Sequence, residues 1–84
     1  MSTEGPAISI TVLAFGPLAE RLGGRQHQCE VEVNSTVREL VLGLGLEEWI
    51  TFGLSVAVNG ERCALDAVLA EGQEVALLPP VSGG

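Results

Sequence analysis

Residues Glu74-Val75-Ala76-Leu77-Leu78-Pro79-Pro80-Val81-Ser82-Gly83-Gly84 contain two opposed instructions. Glu74 to Leu78 reads as a strand, with Val75 and Leu77 directed to one face. Pro79-Pro80 stops it, because neither residue can donate a backbone hydrogen bond to a ladder. Val81-Ser82-Gly83-Gly84 is then left as a free tail. From Pro80 to Gly84 the chain reaches at most about 14 Å when extended. Glycine carries no Cβ, so Gly83 and Gly84 fit a narrow channel and accept the backbone angles a pocket imposes. The two prolines keep the base of that tail extended and reduce the entropy lost on insertion.

Working back from the last strand, Glu71-Gly72 marks a turn, and Asp66 is placed to cap one helical turn carrying Val68 and Leu69. Leu54 to Val58 is apolar and β-branched, a third strand. Asn59-Gly60 follows as a tight hairpin turn, with Glu61 to Ala64 returning. Thr36 and Glu39 have capping-box spacing ahead of the apolar stripe Val37, Leu40, Val41 and Leu44, which predicts the main helix. Gly43 and Gly45 are expected to fray its end, with Leu46 to Thr51 a separate turn or loop. Cys29, Val31 and Val33 alternate with Glu30 and Glu32, giving a strand with one wet face. Ala7 to Phe15 alternates likewise, with Ile8, Ile10 and Val12 inward. Gly16-Pro17 breaks that strand and starts a short helical turn bearing Leu18 and Leu22, which Gly23-Gly24 ends.

The order is strand, short turn, strand, helix, hairpin, strand, tail. One helix packed across one face of a mixed sheet buries these stripes compactly. The predicted fold is α+β, a ubiquitin-like β-grasp: residues 1–6 a flexible leader, 7–80 the domain, 81–84 the functional tail with its Gly-Gly end.

Composition narrows the function. The 84 residues form one domain, 46% apolar and 18% charged. Eleven acidic residues against four basic ones give a net charge of −7, which argues against nucleic acid. All four cations are arginines; the chain has no lysine. No apolar run spans a bilayer. Met1 to Pro6 lacks the basic start and apolar stretch of a signal peptide, so a cytoplasmic location is expected. Cys29 and Cys63 are too few to ligate an iron–sulfur cluster or a structural zinc, and their alternating setting predicts packing. His27 has no partner at ligand spacing and is expected as a strand residue. No metal site and no bound cofactor are expected. There is no Ser–His–Asp set and no phosphate loop, hence no active site of the chain's own.

With these residues in view, the chain resembles the small subunit of molybdopterin synthase and, more broadly, the sulfur carriers that include the thiamine sulfur carrier. The strongest match is Val75 to Gly84, with support from Val12-Leu13-Ala14-Phe15, Leu18, Glu20, Gly23, Thr36 to Leu40, and Ala57-Val58-Asn59-Gly60. Two departures are Gln73, where the family carries an acidic residue, and a shorter stretch from Gly43 to Gly53. The resemblance implies a reaction at the Gly84 carboxylate. A ubiquitin-activator-like adenylating enzyme uses ATP to form an acyl adenylate, and a sulfur donor protein converts it to a thiocarboxylate. It also implies insertion of the tail into the large subunit of molybdopterin synthase, within a heterotetramer, for molybdenum cofactor biosynthesis.

The expected docking surface is apolar: Phe15, Leu78, Pro79 and Pro80 around the tail exit, with Glu61, Glu71 and Glu74 either a charged rim or an ordinary solvated face. Ordinary core is the alternative for Phe15 and Leu78. Three rival functions stay open. The carrier would serve thiamine, cysteine or transfer-RNA thiolation; the chain would be a ubiquitin-like modifier attached through Gly84; or it would be an interaction module with an inert tail.

Overall fold

The computed structural model describes residues 6–80, so the expected tail and all but Pro6 of the expected leader lie outside the described residues. The elements are β1 (Ala7–Ala14), α1 (Pro17–Leu22), β2 (Gln26–Glu32), α2 (Val37–Gly43), α3 (Glu47–Phe52), β3 (Ser55–Val58), β4 (Glu61–Cys63) and β5 (Glu74–Leu78). They build a five-stranded mixed sheet in the order β2-β1-β5-β3-β4. β1 and β5 run parallel, and every other neighbouring pair is antiparallel. This is the expected β-grasp.

Period-two alternation puts Ile8, Ile10, Val12 and Ala14 of β1 on the inner face beside Val75 and Leu77 of β5. Leu18, Val37, Leu40, Val41, Leu46 and Leu69 close over them in one cluster. Val33, expected within the second strand, lies just past β2 and is exposed, although its N–H still donates to the Pro6 carbonyl at 3.0 Å. No helix among the described residues is long and apolar enough to cross a membrane.

The Thr36–Glu39 capping box is present in both directions. Thr36 Oγ1 accepts from the Glu39 N–H at 3.2 Å, and Glu39 Oε1 accepts from the Thr36 N–H at 2.9 Å. Two further N–H groups at this helix start would be orphans without help from elsewhere. The segment after β4 supplies that help: Val37 donates to the Ala67 carbonyl and Arg38 to the Leu65 carbonyl, both at 2.9 Å.

That arrangement corrects the helical turn expected at Asp66. Residues 64–69 run over the start of α2 instead, with a bridge between Thr36 and Val68 and a bond from the Leu69 N–H to the Ser35 carbonyl. Asp66 caps nothing; it pairs with Arg38 at 2.7 Å on the surface. A helical turn here would draw the Leu65 and Ala67 carbonyls away from α2. Leu69 is buried as an apolar residue should be, whereas Val68 is exposed.

The frayed helix end is the second correction. Gly45 adopts φ 76°, a left-handed conformation that costs glycine little. The Gly45 N–H then reaches the Leu42 carbonyl and the Leu46 N–H the Val41 carbonyl, both at 3.1 Å. This is a Schellman closure, and it drives Leu46 into the core at 0% exposure. Where a turn or loop was expected over Leu46 to Thr51, Glu47 to Phe52 forms α3, with Glu47 and Glu48 placed where the helix dipole favours negative charge. Asn59 and Gly60 both have positive φ, as the predicted hairpin requires.

Thr36→Ala should destabilise the domain by about 1 kcal/mol in urea unfolding, because it removes a cap. Asp66→Ala should change it by less than about 0.5 kcal/mol, since that ion pair is exposed.

Candidate functional site: the end of the central strand

β5 lies in the middle of the sheet, so its C-terminal end is flanked on both sides. The register pairs Leu77 with Ala14 of β1 and Leu78 with Ser55 of β3. Continuing it sets Phe15 beside Leu78, with Gly16 next on the β1 side and Leu54 and then Gly53 on the β3 side. A Cβ on Gly16 would lie 3.7 Å from Pro79 Cγ, and one on Gly53 would lie 3.5 Å from Pro80 Cβ. Pro79 and Pro80 therefore leave the sheet between the turn after β1 and the end of α3. Gly16 has φ 58° and ψ −133°, a conformation that side-chain-bearing residues avoid, so the turn that starts α1 demands glycine.

The four residues expected at the exit, Phe15, Leu78, Pro79 and Pro80, are thus brought together. Phe15 is 39% exposed, and Leu78, Pro79 and Pro80 are half-buried. Parity settles the core alternative for the first two. In β1 the even-numbered residues face inward, and in β5 the odd-numbered ones do. Phe15 and Leu78 both continue the opposite face.

Phe52, 56% exposed, is an apolar neighbour of this exit that the sequence reading missed. It ends α3, immediately before Gly53, and meets Trp49 edge-on with ring centroids 5.6 Å apart. Buried Trp49 Nε1 finds no acceptor among the described residues. The aromatic pair at spacing three was the available signal. It went unused because Leu46 to Thr51 was not read as helix.

The charged rim does not form around this exit. Glu74 begins β5, its N–H bonded to Asn59 Oδ1 at 2.9 Å, and Glu71 Oε1 accepts from the Ser9 N–H at 2.9 Å. Glu61 pairs with Val58, which in turn pairs with Val75. All three glutamates sit at the opposite end of β5, about 13 Å away along the strand.

The remaining candidate groups are structural. Cys29 and Cys63 are half-buried free thiols, and burial raises both above the ordinary cysteine range, so they stay protonated at neutral pH. His27 is a strand residue whose Nε2 lies 2.9 Å from the Gly24 carbonyl; a carbonyl only accepts, so Nε2 carries the proton. Among the described residues no group of three His, Cys, Asp or Glu side chains is placed to hold a metal.

The profile of the ThiS family matches residues 12–84. The chain belongs to that family. It takes its place among the ubiquitin-like sulfur carriers and modifiers. Small archaeal modifier protein 1 of Haloferax volcanii is 37% identical over 83 residues, covering 83% of this chain and 94% of the relative. A crystal structure of that modifier covers 90% of this chain and 99% of its own, with TM-score 0.72 and 36% identity. Subunits 1 and 2 of the molybdopterin-converting factor of Helicobacter pylori have been solved as a complex. The match there is 29% identical and covers 92% of this chain and 100% of that one, with TM-score 0.59.

Because Phe15 faces outward, Phe15→Ala should lower stability by less than about 1 kcal/mol. Leu77→Ala, in the core beside it, should cost about 2–5 kcal/mol. Thermal unfolding of the two variants checks the contrast.

Proposed function

We propose that this chain is a sulfur carrier that works through the Gly84 carboxylate, donating sulfur as the small subunit of a molybdopterin synthase. The observation that carries the reading is the position of the exit. A central strand, held by neighbours on both sides, delivers Pro79-Pro80 to a rim of outward apolar residues, and the remaining sequence is Val81-Ser82-Gly83-Gly84. An anchor of this kind suits a partner that must hold the domain while the last residues enter its pocket.

The chemistry follows from the carboxylate. Gly84 attacks the α-phosphorus of ATP on a ubiquitin-activator-like enzyme and pyrophosphate leaves. In the resulting mixed anhydride the acyl carbon is electrophilic. A sulfur donor protein presents a persulfide there: its terminal sulfur forms the C–S bond and AMP departs. A second thiol cleaves the resulting acyl disulfide, leaving a thiocarboxylate and a disulfide between that thiol and the donor's sulfur. Val81, Ser82 and Gly83 serve as the slender lead, and Phe15, Phe52, Leu78, Pro79 and Pro80 as the docking patch. The large subunit holds the pterin precursor and supplies the catalytic side chains. ATP is spent by the activating enzyme; the carrier itself needs no bound cofactor.

The likeness to a modifier, at 37% identity, favours a second reading, in which the activated Gly84 is joined to amines of other proteins. Both readings share the acyl adenylate and separate at the acceptor. Incubation with the activating enzyme, ATP and a sulfur donor should replace one oxygen by sulfur in the intact mass, mapped to the C-terminal peptide. Deleting Gly83-Gly84 should abolish this while leaving the melting temperature nearly unchanged. An unchanged mass with a competent activating enzyme defeats the carrier reading, and a ladder of covalent conjugates in cells would favour the modifier.

A further inference from the structure

β2 is an outer strand of the sheet. Two bonds determine which of its backbone groups turn outward. Ala14 N–H donates to the Arg25 carbonyl at 2.9 Å, and Val33 N–H donates to the Pro6 carbonyl at 3.0 Å. Hydrogen-bonded pairs alternate along an antiparallel ribbon. With Val12 opposite His27, Ile10 opposite Cys29 and Ile8 opposite Val31, the odd-numbered residues of β2 therefore bond to β1. Gln26, Gln28 and Glu30 point their N–H and C=O groups to the free edge, and all three residues are exposed. Among the described residues no backbone group takes them up.

Beside this edge, between β2 and α2, lies a groove of about 180 Å³. Cys29, Val31, Leu40 and Leu44 give it apolar walls, while the exposed Glu30 and Glu39 border it. Gly43 also lines it, and a Cβ there would meet nothing within 4 Å.

We propose that this edge and groove receive an extended basic segment of a partner protein, added to the sheet as a further strand beside β2. A row of unpaired N–H and C=O groups accepts only a chain in extended conformation, and side chains that alternate along it would place every second residue in the groove. The charge selects the partner. Glu30, Glu32 and Glu39 have no cation against them; the ion pair among the described residues is Arg38 with Asp66. Edge charges ordinarily discourage self-pairing. Here they, and a net charge of −7, repel a second copy while attracting a cationic segment. β1 separates β2 from β5, so this surface and the tail exit can be engaged together. The proposal does not depend on the sulfur-carrier reading.

The test uses the full chain and a synthetic, end-capped peptide alternating valine and lysine, with a block-ordered peptide of the same composition as control. Binding should shift the amide signals of β2 and α2 and slow hydrogen exchange at Gln26, Gln28 and Glu30, while the block-ordered peptide binds about tenfold more weakly or not at all. The Glu30→Arg/Glu32→Arg double variant should lose about tenfold in affinity. Gly43→Leu should fold at least as stably, because it replaces a helical glycine in open space, and should also weaken binding by filling the groove. Equal binding of the two peptides would overturn the proposal, as would shifts confined to other surfaces or a dimer formed through β2.

Discussion

The parallel pairing of β1 with β5 is the constraint on which the rest of the structure depends. Val12, Val75 and Leu77 are fully buried along this seam, and Ile10 nearly so. The two strands come from opposite ends of the sequence, so the seam is a long-range pairing that must offset the loop-closure entropy of everything between them. β3 then bonds to the other side of β5. The last strand has no freedom to shift its register without turning Val75 and Leu77 outward. The point where the chain leaves the sheet is consequently fixed by pairing on both sides, although the tail beyond it needs only to be thin.

This division explains which features were legible in the sequence. β1, β2 and β5 announce themselves by alternation, the hairpin by Asn59-Gly60, and the start of α2 by Thr36 and Glu39, because each depends on residues a few positions apart. The path of 64–69 does not. Its conformation is set by the orphan N–H groups of Val37 and Arg38, some thirty residues upstream, and no local pattern encodes that demand. α3 was missed for another reason: six residues are too few to establish a helical period. Gly43 and Gly45 ahead of it looked like breakers, when Gly45 in fact closes α2 and delivers Leu46 to the core.

At the exit, sequence and geometry supply different parts of the account. The reactive group proposed for this chain is a main-chain carboxylate, so nearly all its chemistry was readable from Val81 to Gly84. The orientation of Phe15 was also present, in the odd and even positions of β1, but it needed β1 and β5 to be set side by side before it acquired meaning. Phe52 required the tertiary fold, since the pairing of Ser55 with Leu78 and the approach of Gly53 to Pro80 bring α3 to that end of the sheet.

Trp49 is the single tryptophan of the chain, and its ring abuts Phe52. Indole emission responds to the polarity and mobility of its immediate surroundings. The fold therefore places an intrinsic optical reporter on the helix whose capping glycine, Gly53, approaches Pro80. Encounters at that end of the molecule can be timed by stopped-flow mixing without attaching a dye, provided the partner's own tryptophans are silent.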